Sequence, residues 1–213
     1  MTNIFIFIFS FYFCLFSVLA YGNFFQRVFL KVSNEEDINI YTGFYGIMFL
    51  TLLALITSYF VQHNYVHNII LHGLGVIYFF SSNFKLKKKF YKHIFYISIF
   101  AFSILLISKT HDDFSYYHLP FTKFLTENNI IFGMGHLNLG YNFLSSLFFL
   151  NSTFYLPLIG LYSFHFSIIF FLIFFNYFIL KNIFLKKTHE YFRYFYLLTF
   201  IFFNISFNRL AEF

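Results

Sequence analysis

Residues 38–84 read INIYTGFYGIMFLTLLALITSYFVQHNYVHNIILHGLGVIYFFSSNF, 47 positions without one Asp, Glu, Lys or Arg. A helix crossing a hydrocarbon core of about 30 Å at about 1.5 Å per residue needs about 20 mostly apolar residues. The run is therefore too long for one crossing and long enough for two. The polar belt Gln62, His63, Asn64, Tyr65, Val66, His67, Asn68 divides it, which predicts spans near 43–61 and 68–84. The same test applied outward gives a span near 2–21 in the uncharged N-terminal stretch. A shorter one follows near 93–108, where Lys92 and Lys109 can snorkel and extend it. Two more fall near 154–180 and 194–208.

Composition agrees with this reading. Of 213 residues, 60% are hydrophobic, 28% aromatic and only 10% charged, against about 45–50% apolar and about 25% charged in soluble domains. A soluble fold of this length could not hide so much apolar surface. A water-soluble enzyme, a disordered chain and a disulfide scaffold are excluded, and the fold class is all-α: a polytopic integral membrane protein of about six spans. Phe occurs 42 times and Tyr 18 times while Trp is absent, a bias that reads as AT-rich coding and not as an aromatic binding surface. The lone Cys14 sits in an apolar run and supports neither a disulfide nor a metal site. The net charge of +6 lies in Lys clusters between spans, so it points to no nucleic-acid partner.

Those clusters set sidedness, because Lys and Arg concentrate in short cytoplasmic loops. Lys85, Lys87, Lys88, Lys89 and Lys92 share one connector, and Lys181, Lys186, Lys187 and Arg193 share another. Two spans separate them, so both face the cytoplasm. Arg27 and Lys31 lie two spans earlier and agree in parity. The N-terminus and residues 109–153 are then outside. The first span lacks a positive n-region and reads as a retained helix, not a cleaved signal peptide.

Most of the chain is generic apolar helix, but 109–153 is not. This external segment holds three of the eight acidic residues and three of the nine His. Asp112 and Asp113 stand just past a span end. Such a pair reads either as two solvated acids at a helix end or as chemistry. In the second reading one carboxylate takes a hydroxyl proton as general base at ~2.6–3.2 Å. The other holds a sugar hydroxyl or a divalent cation, Mg²⁺ or Mn²⁺. Tyr116, Tyr117 and His118 follow; they serve as interfacial belt residues or as site residues. Pro120 suits the first turn of a helix. Across 119–129 apolar Leu119, Phe121, Phe124 and Leu125 alternate with Thr122, Lys123, Thr126 and Glu127, the pattern of a short amphipathic helix lying in the interface. Gly133, Gly135 and Gly140 bracket His136 and Asn138 in a shaped loop that can cradle a phosphate through backbone N–H groups. No βαβ unit surrounds it, so it is no nucleotide fingerprint. His63, His67 and His72 have no carboxylate nearby, and no metal site is assigned. His165, within a span, reads either as functional or as a neutral hydrogen-bonded ring.

The run from Asp113 to Pro120 (DFSYYHLP), the GMGHLN beginning at Gly133 and the YNFLSSLFFL beginning at Tyr141 together resemble a family of bacterial polytopic membrane proteins. Those proteins are similar to the GT-C superfamily of lipid-phosphate-sugar-dependent glycosyltransferases. The resemblance covers about 105–153. It implies an enzyme of the bacterial inner membrane that moves a sugar from a polyprenyl-phosphate donor to a cell-envelope acceptor at the outer surface. Asp113 or Asp112 would be the base, with His118, Tyr117, Lys123, His136 and Asn138 on the substrate. Superfamily members run to more helices than six, so the chain reads as an N-terminal piece of a longer protein. A polysaccharide polymerase or ligase and a non-enzymatic transporter or envelope-complex subunit remain as alternatives. Polymerases and ligases tend to use external Arg, of which 109–153 has none; a transporter needs a polar path through the spans.

Overall fold

The computed structural model describes residues 4–32, 35–81, 88–105, 114–136, 139–142, 145–184 and 189–210. Every regular element among them is helical. The long helices are α1 (Ile4–Val28), α2 (Glu35–Ser58), α3 (Tyr65–Ser81), α4 (Lys88–Leu105), α7 (Phe166–Phe184) and α8 (Glu190–Leu210); α5 (Leu119–Glu127) and α6 (Ser146–Thr153) are short. Both prolines fall outside the long helices, Pro120 in the first turn of α5 and Pro157 in a turn between α6 and α7. A mid-helix proline removes a hydrogen bond and clashes with the preceding turn, so nothing in the long runs interrupts the backbone ladder. Ile4–Val28, Tyr41–Ser58 and Leu161–Phe184 are long and apolar enough to cross a membrane, while Tyr65–Ser81 and Lys92–Phe102 are apolar but shorter.

The helices alternate in direction. Gly22 of α1 lies against Thr42 of α2 and Val18 against Gly46. Phe7 meets Phe102 and Tyr12 bonds Ser98 of α4 at 3.0 Å. Tyr41 and Phe44 of α2 meet Phe178 and Phe171 of α7, and Phe178 and Asn176 meet Tyr196 and Asn204 of α8. All four pairs are antiparallel. α3 runs parallel to α1, with Phe13 on His72 and Phe24 on Tyr78. The starts of α1, α3 and α7 and the ends of α2 and α4 therefore share one end of the bundle, the cap end. Arg27, Lys31, Lys181 and Arg193 lie toward the other. α1 is the central helix, with Phe11, Leu15, Val18 and Leu19 buried in the main core beside Phe166, Phe170 and Ile173 of α7.

Several boundaries differ from the expected spans, with α2 starting at Glu35, α3 at Tyr65, α4 at Lys88 and α8 at Glu190, and two further differences have a physical reason in the packing. α1 runs seven residues past the expected end at 21, because Gly22 meets the α2 backbone and Gln26 accepts a buried 2.8 Å bond from Thr42. The span expected at 154–180 starts at Leu161 instead. Leu156 and Gly160 pair in a tight turn around Pro157, with φ of 69° at Leu158 and 55° at Gly160. α6 before it, expected to lie in the external segment, is inserted among the other helices with Phe148, Phe149 and Leu150 buried.

Candidate functional site

The cap is built on the open end of the bundle from a π-helical turn (Phe114–His118), α5, the 128–136 loop, a 3₁₀ turn (Leu139–Asn142) and α6. Pro120 fixes the start of α5. α5 buries Phe121, Thr122, Leu125 and Thr126 and exposes Lys123 and Glu127. Its apolar face packs on protein: Phe121 and Leu125 join Phe148 and Phe149 of α6, Ala54 of α2 and Met134 in a second core. The amphipathic pattern read from 119–129 is real, and the helix spends its apolar stripe on α6 and α2.

The glycines shape the loop. Gly133 has φ of 86°, a conformation side chains rarely adopt. A Cβ on Gly135 would collide with Asn142, and one on Gly140 would press on the Tyr117 ring. Tyr117 lies 4.3 Å from the His118 ring, edge to face, and His118 lies 4.9 Å from Phe148. Phe121 meets Tyr141 at 5.4 Å. Tyr117 and His118 thus form a small aromatic cluster with Phe148, while Gly135 lies against Asn142 and Met134 joins the core that holds Phe148 and Phe149.

Beneath the cap lies a buried polar knot. His63, in the turn between α2 and α3, has its Nε2 2.9 Å from Thr57 Oγ1 and its Nδ1 2.6 Å from Ser152 Oγ. Each hydroxyl also reaches a helix carbonyl, Leu53 O and Phe149 O, both at 2.8 Å, so a neutral ring satisfies both neighbours in either tautomer. Asn68 Nδ2 donates to His63 O and Ser152 O at 2.8 Å and Tyr155 O at 2.9 Å. His72 Nδ1 is 3.0 Å from Ser17 Oγ and its Nε2 donates to Thr153 O at 3.1 Å, joining α3, α1 and α6. His63 N donates to Leu125 O at 2.8 Å and ties the knot to α5. The His63 and His67 rings stack at 5.0 Å.

Ser152 beside His63 has the spacing of an activated hydroxyl, but burial, together with the neighbouring His67, pushes the His63 pKa down to about 3. So weak a base does not activate a serine, and both groups are fully buried. The knot is a structural tie. Among the described residues no group of three or more His, Cys, Asp or Glu is placed to hold a metal.

Asp112, Asp113 and Asn138, expected at the centre of the site, lie outside the described residues. Tyr117 and His118 are half-buried and packed together against Phe148 and Gly140. His136 is exposed at the end of the glycine loop, its N–H donating to Gly133 O at 3.0 Å. Lys123 is exposed and its Nζ is 3.7 Å from Glu127 Oε1. The polar belt at 62–68 marked a break between helices, but its partners Ser152 and Tyr155 lie more than 80 residues away and carry no pattern that points to it.

Neither a curated protein nor a solved structure matches the chain. The model of one family, described as Domain of unknown function (DUF8201), matches residues 4–212, and the chain belongs to that family.

Proposed function

We propose that this protein is a multi-pass protein of the bacterial inner membrane, with about six spans, and that it transfers a sugar from a polyprenyl-phosphate donor to a cell-envelope acceptor. The observation that carries the reading is the cap. The described residues of the resembling segments at 113–120, 133–138 and 141–150 lie together: Tyr117 packs on Phe148, Gly135 lies against Asn142, and Met134 shares a core with Phe148 and Phe149. They do so at the end of the bundle opposite Arg27, Lys31, Lys181 and Arg193, which the positive-inside rule makes the outer end.

The chemistry is direct displacement. An acceptor hydroxyl oxygen attacks the anomeric carbon, the bond from that carbon to the lipid-phosphate oxygen breaks, and polyprenyl phosphate leaves with the electron pair. Asp113 takes the hydroxyl proton, and Asp112 holds the acceptor or a divalent cation. His118, Tyr117, His136 and Asn138 surround the donor, and Lys123 offsets phosphate charge. A general base contributes ~10²–10⁴-fold in rate. Asp113→Asn should therefore lose that factor in sugar transfer from a polyprenyl-phosphate donor in membranes holding the full-length protein, with insertion unchanged and Asp112→Asn milder. Wild-type turnover in both variants would overturn the transferase reading.

A further inference from the structure

Two loops at the cap end carry large apolar side chains that no described residue covers. In the turn after α2, Phe60 exposes 75% of its surface, with Tyr59 and Val61 also exposed; in the loop after α5, Phe132 exposes 87% and Ile131 58%. The loops are fixed to each other. Ile130 N donates to Ser58 O at 2.9 Å, Asn129 Nδ2 donates to Phe60 O at 3.2 Å, and the Tyr59 and Phe132 rings sit 6.1 Å apart. This is a built apolar tip. Leaving side chains of this size in water forgoes the free energy of burying them.

We infer that residues 59–61 and 130–132 insert into the headgroup–acyl boundary of the outer leaflet and set the depth at which the cap rides on the lipid. The occupant is lipid because the tip continues an uninterrupted apolar stripe. Met48, Leu52 and Ile56 are exposed on α2 at four-residue spacing, and the next position in that register is Phe60. A protein interface closes with a polar rim; here no charged residue separates the tip from the stripe. The exposed charges nearest in sequence, Lys123 and Glu127, stand on α5, and Asn129 at the tip gives its amide N–H to Phe60 O. Tyr59 is the residue type that favours the interface. Because α5 packs its apolar face on protein, these loops take the lipid-contacting role that an amphipathic helix usually has.

The inference rests on the membrane reading above, and the test separates the two. The chain has no Trp, so Phe60→Trp, Phe132→Trp and Leu52→Trp each give a single reporter, all at exposed positions. Each variant is reconstituted in phosphatidylcholine vesicles carrying bromine at shallow or deep acyl carbons. Phe60→Trp and Phe132→Trp should lose more emission to shallow than to deep bromine and resist aqueous acrylamide, while Leu52→Trp should favour deep bromine. If Leu52→Trp is quenched by lipid but the loop reporters are quenched by acrylamide, the tip faces water and the inference fails. If the loop reporters escape both quenchers, protein covers the tip and the inference fails equally. Escape of Leu52→Trp from lipid bromine would overturn the membrane reading itself.

Discussion

The α1–α2 and α7–α8 pairs are both antiparallel, yet one is joined by backbone contact and the other by side chains. At Gly22 and Gly46 the backbone of each helix touches the other, so that a Cβ on either would overlap the Thr42 or Val18 carbonyl. Between α7 and α8, Asn176 and Asn204 exchange two amide hydrogen bonds of 2.9 Å, and Phe175 and Phe203 approach to 4.1 Å. The outer face of α8 exposes Tyr191, Phe195, Leu198 and Phe202. For helices that cross a membrane, as proposed above, the surroundings are as apolar as Phe, so burial of apolar surface does not choose partners; close packing and polar bonds do. One pair uses the first device and the other the second. The cap uses both, through Gly135, Gly140 and the His63 knot.

The largest expected effect breaks the α1–α2 side. Gly46→Leu forces a side chain into the Val18 carbonyl, which cannot move without parting the helices. Overpacking typically costs about 1–3 kcal/mol, and with backbone as the obstacle the loss should reach the top of that range. Thermal unfolding in detergent micelles measures it, and an unchanged midpoint would show that the two backbones are not in contact.

Next comes the cap. His63 has a pKa of about 3 when folded and 6.5 as its ordinary value, so the unfolded chain takes up a proton at a higher pH than the folded one. Stability from this group is full above pH 6.5 and falls as pH drops from there toward 3. At pH 5 the loss is on the order of 2 kcal/mol, from about 1.4 kcal/mol per pH unit. His63→Gln should make the dependence of the unfolding midpoint between pH 6.5 and about 4.5 shallower; an equally steep slope in that variant would place the titration elsewhere.

The α7–α8 side should respond less. Asn204→Leu leaves the Asn176 amide unpaired, and interhelical hydrogen bonds of this kind are worth about 0.6–2 kcal/mol. The double variant Asn176→Leu, Asn204→Leu should recover part of that loss, because removing both partners leaves no buried amide unsatisfied. Strictly additive losses would show that the two amides do not interact.

The smallest effect is expected at Lys123. Its pair with Glu127 is exposed on both sides, and such i,i+4 pairs contribute about 0.3–0.5 kcal/mol. Lys123→Ala should leave the unfolding midpoint nearly unchanged, so that any fall in sugar transfer reports on the donor phosphate. A large drop in midpoint would instead assign the lysine a structural role.

The sequence alone determined the helical class and the rhythm of the chain. Uncharged runs of helix-crossing length, broken by the belt at 62–68 and by lysine clusters, leave one regular structure that satisfies its own backbone, and the long helices fall where those runs are. It also marked Pro120, the glycine loop and the amphipathic pattern of α5, because each is a local rule written in adjacent residues. What the tertiary structure decided is which apolar surface meets which. With 42 Phe in the chain, nearly every helix face has the same chemistry, and hydropathy cannot rank partners among equals. Contacts over long separations settled it: Gly22 on Thr42, His63 on Ser152, Asn68 on Tyr155, and the apolar face of α5 on Phe148 and Phe149, with Phe60 and Phe132 left at the surface. These depend on the closeness of two backbones or on the direction of a hydrogen bond, and neither is encoded in the spacing of residues along one helix.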